Sequence, residues 1–112
     1  MPRKDKTLSV VEKVLDEHKA QDIVTLDVRE RTPFADYYVL CTAGNVRQLN
    51  ALKEAVVEAL EKNKLNIKNV EGKVASGWIL IDANHVIVNI FTKEERERID
   101  LEEFLSRENR KA

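Results

Sequence analysis

The sequence predicts a mixed α/β domain in which a four- to five-stranded sheet carries helices packed on it. Three observations predict it. Apolar residues recur at helical spacing near the N-terminus and again in the middle of the chain, short β-rich runs flank the second helical stretch, and turn residues separate the runs. With 112 residues, 43% of them hydrophobic, the chain is sized for one core. The expected organisation is a polar arm over residues 1–7, one domain over 8–106 and a charged tail over 107–112.

The first helix is expected over residues 8–19, where Leu8, Val11, Val14, Leu15 and His18 share a face; Ser9 with Glu12, or Thr7 one turn earlier, would cap it. A strand comes next, over 22–28. Residues 29–36 read as a connection, because Pro33 cannot donate to a sheet ladder and holds Thr32 extended. Residues 37–42 form a second strand too apolar for a solvated face. Asn45 then caps a long helix, with Gln48 as its reciprocal partner and Leu49, Leu52, Val56 and Leu60 as its core stripe. The helix should fray near residues 62–64.

Residues 65–70 alternate weakly, giving a short edge strand or an extended loop, and Glu71-Gly72 and Ser76-Gly77 punctuate the stretch up to residue 77. Residues 78–81 and 86–91 read as strands joined by the four residues 82–85 as a hairpin connection. Thr92 with Glu95 starts a short helix, and Asp100 with Glu103 a last one. The order is α-β-β-α-β-β-α with one uncertain extra strand.

Charge narrows the function. The formal net charge of −1 lacks the concentrated basic face that non-specific capture of nucleic acid requires. No apolar run approaches a membrane span, no secretory core comes after the polar start, and a cytoplasmic protein is expected. One cysteine, Cys41, lies inside an apolar run and reads as a small buried hydrophobe.

Catalytic patterns are sparse. Gly44-Asn45 lies between a strand and a helix, where backbone N–H groups can hold phosphate, but the further glycines and the Lys-Ser/Thr of nucleotide loops are missing. His18, Cys41 and His85 stand at no zinc spacing, so neither metal nor cofactor is expected. Ser9, Ser76 and Ser106 lack a nucleophile context. Aromatic residues suggest a binding surface instead. Trp78, Tyr37, Tyr38, Phe34 and Phe91 bracket the strands, with Phe34 and Tyr38 open between core and interface. Asp82, Glu94, Glu95, Asp100, Glu102 and Glu103 add acidity, either as a solvated face or as a dock for a basic protein.

Residues 36–45, Arg47-Gln48, Glu71-Gly72, 77–82, 85–91 and 98–102 together resemble the ribosomal silencing factors, also called the RsfS or Iojap-like family, over about residues 8–105. The resemblance implies a fold similar to the nucleotidyltransferases, although no Asp-x-Asp pair is present to clamp magnesium. It implies a non-enzymatic repressor of translation that binds the large ribosomal subunit through its fourteenth protein, blocks the small subunit sterically, and has a role in large-subunit maturation. On that reading Trp78 and Tyr38 are anchors, Asp82, Glu95, Asp100 and Glu102 meet basic side chains, and Arg98 positions the acidic edge. Asn89 and Thr92 stand where histidines are frequent, and Ile99 where tyrosine is. A homodimer of the free protein would result from an apolar, self-complementary docking face. The alternative is a degenerate nucleotidyltransferase that binds nucleotide at Gly44-Asn45.

Overall fold

The structure is a computed structural model and describes residues 5–98. Helix α1 spans Lys6–Glu17, strand β1 Gln21–Asp27, β2 Tyr37–Ala43, helix α2 Val46–Lys62, and β3 Asn69–Lys73. A single 3-10 turn at Val74–Ser76 leads to β4, Trp78–Ala83, then β5, Val86–Thr92, and α3, Lys93–Arg98. The expected final helix around Asp100 and Glu103 lies outside the described residues. The five strands form one sheet in the order β1-β2-β5-β4-β3. Only β2 and β5 run parallel, and the long crossover between them contains α2.

Alternation along the strands gives the sheet two distinct faces. Val39, Cys41, Ile79, Ile81, Val86, Val88 and Ile90 point toward the helices and pack against Leu8, Val11 and Leu15 of α1 and Leu49, Leu52, Val56 and Leu60 of α2. The opposite face carries a smaller cluster of Val28, Ala35, Tyr38, Leu40, Ile87 and Phe91, with Leu26, Trp78 and Leu80 packed at its margin. As the central pair, β2 and β5 are buried almost throughout, which explains their unbroken apolar runs.

The caps explain where the helices begin. Asn45 accepts from the Gln48 N–H at 2.8 Å, as its spacing predicts, while the Gln48 side chain reaches past Asn45 to the Gly44 N–H at 2.6 Å. The start of α1 differs from expectation. Asp5 is the cap, accepting from the Leu8 N–H at 3.0 Å, so the helix begins at Lys6. Neither proposed cap serves, because both lie inside the helix and Thr7 turns inward, 6% exposed.

Two further expectations are corrected. The uncertain strand is real but starts at Asn69, leaving residues 65–68 as connection, and Glu71-Gly72 lies within it. Gly72 adopts φ +95°, and a Cβ there would stand 2.2 Å from the Trp78 carbonyl oxygen, so edge strand β3 approaches β4 at this point only across a glycine. The β4–β5 connection is two residues long, because Ala83 already pairs with Val86. Asn84 takes φ 72° with its N–H donated to the Asp82 carboxylate at 2.9 Å, closing the turn early.

Candidate functional site

The registers arrange the non-helical face in rows across the sheet. One row runs Leu26, Tyr38, Ile87, Asp82, Asn69, and the next runs Val24, Leu40, Asn89, Leu80, Glu71. The third runs Gln21, Thr42, Phe91, Trp78, Lys73. Tyr38 and Asp82 therefore share one end of the face and Trp78 the other. Asp82 stands four positions beyond Trp78 along β4, roughly 13 Å at the usual strand rise.

At the first end a pocket of about 230 Å³ is lined by Phe34, Ala35, Tyr38, Leu80, Asp82 and Ile87, with Lys68, Glu71 and Asn84 around it. Tyr38 is 3% exposed, so it is chiefly a core residue and offers only an edge. Phe34 is the reverse, a large apolar side chain left 62% exposed. Its loop is held by Thr32, which is buried and whose hydroxyl accepts from the Phe34 N–H at 3.1 Å. The even balance between core and interface for these two aromatics thus resolves in opposite directions.

At the other end Trp78 is half-buried and lies over Phe91, ring centroids 5.3 Å apart and tilted by 34°. Its indole Nε1 donates to the side-chain oxygen of Asn89 at 3.0 Å. Gly77, at φ +79°, brings the start of β4 under α3, where a Cβ would lie 3.5 Å from Glu95 Cβ. Glu95 is tied to Arg98 by an ion pair, with the second contact from Arg98 Nε at 3.3 Å. That hydrogen bond and charge push the Arg98 pKa further above its ordinary value.

The structure thus places Glu95, paired with Arg98, next to Gly77 at the start of β4, and sets Asp82 at the other end of that strand in the row of Tyr38 and Ile87. Asp82 is not part of one acidic cluster with Glu94 and Glu95, because the hairpin carrying it lies at the far end of β5. Asp100 and Glu102 fall outside the described residues. Sequence reasoning placed Asn89 where histidine is frequent and gave it no contact of its own; its signal was a lone amide inside the apolar run of residues 86–91.

The strand-to-helix turn at Gly44 is closed by its own side chains. Gln48 takes the Gly44 N–H, and Asn45 takes the Gln48 N–H, so two donors that could face a phosphate are occupied. Nearby, Arg96 donates to the Thr42 hydroxyl at 3.1 Å. Burial pushes the Cys41 thiol up to about 12, against a small opposing pull from Arg96, so the sulfur is no nucleophile at neutral pH. A wide groove between α1 and α2, about 640 Å³, is edged by Lys13, Glu17, Glu54, Glu58 and Lys62 and touches neither end of the non-helical face. Among the described residues no group of three His, Cys, Asp or Glu could hold a metal ion, and no helix is long and apolar enough to cross a membrane.

The domain is thus a small mixed sheet with one face closed by helices and the other carrying aromatics and a shallow pocket. The family model described as "Ribosomal silencing factor during starvation" matches residues 2–112. The chain belongs to that family, whose members act in translation regulation. It is 30% identical over 95 residues to the ribosomal silencing factor RsfS of Bacillus subtilis, an alignment covering 85% of this chain and 80% of that one. A mouse relative named mitochondrial assembly of ribosomal large subunit protein 1 is 26% identical over 92 residues, spanning 80% of this chain and 40% of that longer protein. A crystal structure of a Chromobacterium violaceum protein superposes with a TM-score of 0.84 at 26% identity, covering 90% of this chain and 84% of that one.

Proposed function

We propose that the protein represses translation in the cytoplasm by binding the large ribosomal subunit through its fourteenth protein and keeping the small subunit off the joining face. The observation that carries this reading is the family match along residues 2–112, which takes in every element of the fold. Steric exclusion needs a surface and an affinity, and no bond is made or broken. Trp78 anchors one end of that surface and the pocket beside Tyr38 and Asp82 the other. Glu95, Asp100 and Glu102 meet basic side chains, with Arg98 holding Glu95 in place. A contribution to large-subunit maturation accompanies the block, in keeping with the name of the mouse relative.

The test is sedimentation of purified protein with separated ribosomal subunits as magnesium drives their joining. The protein should travel with the large subunit and lower the joined peak. Binding to neither subunit, with joining unaffected, would sink the proposal. The double variant Asp100→Lys, Glu102→Lys should bind more weakly; unchanged association would remove the acidic contacts from it. The same runs report whether the free protein travels alone or as a pair.

A further inference from the structure

Asn89 lies at the centre of β5 on the non-helical face, 0% exposed, between Leu40 and Leu80 in its row. Its Oδ1 accepts from the indole Nε1 of Trp78, while its Nδ2 has no hydrogen-bond partner among the described residues. A buried amide with one unmet donor is a stability loss that a leucine of similar size would avoid. Reversing the amide would place its NH2 group against the indole N–H, donor against donor, so the contact fixes the orientation of both groups.

The Trp78 ring packs on Phe91, and its one polar ring atom is held by Asn89. Trp78 is half-buried on an otherwise largely apolar margin, where apolar packing alone would accept more than one ring orientation. We propose that Asn89 is a positioning residue, whose side-chain oxygen holds the Trp78 indole in the orientation that the ribosomal partner meets. This inference rests on the docking reading of Trp78 under the proposed function. Asn89 itself, being buried, touches no partner.

Trp78 is the only tryptophan, so intrinsic fluorescence reports on it alone. In Asn89→Leu the emission should shift to the red and acrylamide quenching should rise. Affinity for isolated large subunits should fall about tenfold, the equivalent of one lost hydrogen bond. The thermal midpoint should not drop, which separates positioning from a purely structural role. Asn89→His, whose ring nitrogen can accept from the indole, should restore emission and affinity together. Asn89→Ser, too short to reach the indole, should show the same red shift and the same loss of affinity, so the test does not depend on how leucine fits the site.

Unchanged emission and quenching in both Asn89→Leu and Asn89→Ser would overturn the positioning role. So would unchanged affinity in those variants when Trp78→Phe binds weakly, and the docking reading of Trp78 would then survive without Asn89. If Trp78→Phe itself binds as tightly as the wild type, the docking reading of Trp78 fails and takes this inference with it.

Discussion

The two faces of the sheet come from alternate residues of the same strands, yet they differ in kind. Toward the helices the chain places Val39, Cys41, Ile81, Val86, Val88 and Ile90, all at 0% exposure and all apolar. On the other face Tyr38, Leu40 and Phe91 are buried as well, but Thr42, Asn89 and Asp82 stand among them. Trp78 and Leu80 are left half-covered there. A period of two residues lets one sheet serve as a core wall and a binding wall at once. The uniform face is free to maximise burial. The mixed face gives up some burial for groups with direction.

That contrast predicts unequal responses to truncation. Leu52→Ala on α2 empties a site 1% exposed and should cost about 2–5 kcal/mol, the range for buried leucines. Leu80→Ala removes a half-covered side chain and should cost about 1 kcal/mol, since less apolar area leaves water there. Urea unfolding of the two variants measures both. Equal losses would mean that the faces contribute alike and that the binding wall is as closed as the core.

A backbone change should rank next. Gly72→Ala places a methyl group 2.2 Å from the Trp78 carbonyl oxygen at φ +95°, so β3 must part from β4 or the backbone must rotate. Strain of this kind costs about 1–3 kcal/mol, and the movement falls directly on the aromatic end of β4. Gly77→Ala is also strained, at φ +79°, but meets the Thr92 hydroxyl at 2.7 Å, a side chain rather than backbone, and should cost less. If Gly77→Ala proves the more damaging of the two, the strand–strand approach is softer than the geometry implies.

Much of the helix-facing half was legible in the sequence. The stripe Leu49, Leu52, Val56 and Leu60 follows from period alone, and the caps at Asn45 and Thr92 follow from residue type and spacing. Strand β3 was only half legible, because Asn69–Lys73 is exposed throughout and owes its form to pairing with β4. The Asp5 cap was hidden by two rival hydroxyls at Thr7 and Ser9, and only tertiary packing decides that Thr7 faces inward. For the site, residue types were readable and relative placement was not. The parallel pairing of β2 with β5 sets which side chains share a row, and no local pattern encodes it. Asp82 therefore looked like a neighbour of Glu95 until the register put it beside Tyr38.

The smallest effect concerns the stitch between the helix layer and the sheet. Asp5 caps α1 and also meets His85 of the β4–β5 hairpin, Oδ2 to Nε2 at 2.7 Å. The His85 carbonyl in turn accepts from the Asp36 and Tyr37 N–H groups, so one cluster joins α1, the hairpin and the start of β2. Burial raises the Asp5 pKa, but hydrogen bonds from Leu8, His85 and Thr7, with the charge of His85, outweigh it and leave the carboxyl below its ordinary 3.8. The native state thus holds the ionised form more tightly than the unfolded chain does. Its contribution is complete above the ordinary carboxylate value and is lost as pH falls through it toward the lower native one. Asp5→Ala should cost about 1 kcal/mol near neutrality, as for other lost N-caps. Asp5→Asn keeps a capping oxygen and should cost less, with the difference from wild type constant above the ordinary carboxylate value of 3.8 and shrinking as pH falls below it in urea titrations. A difference independent of pH would show that the carboxylate acts by shape alone, and that the helices are held to the sheet wholly by the apolar face they share.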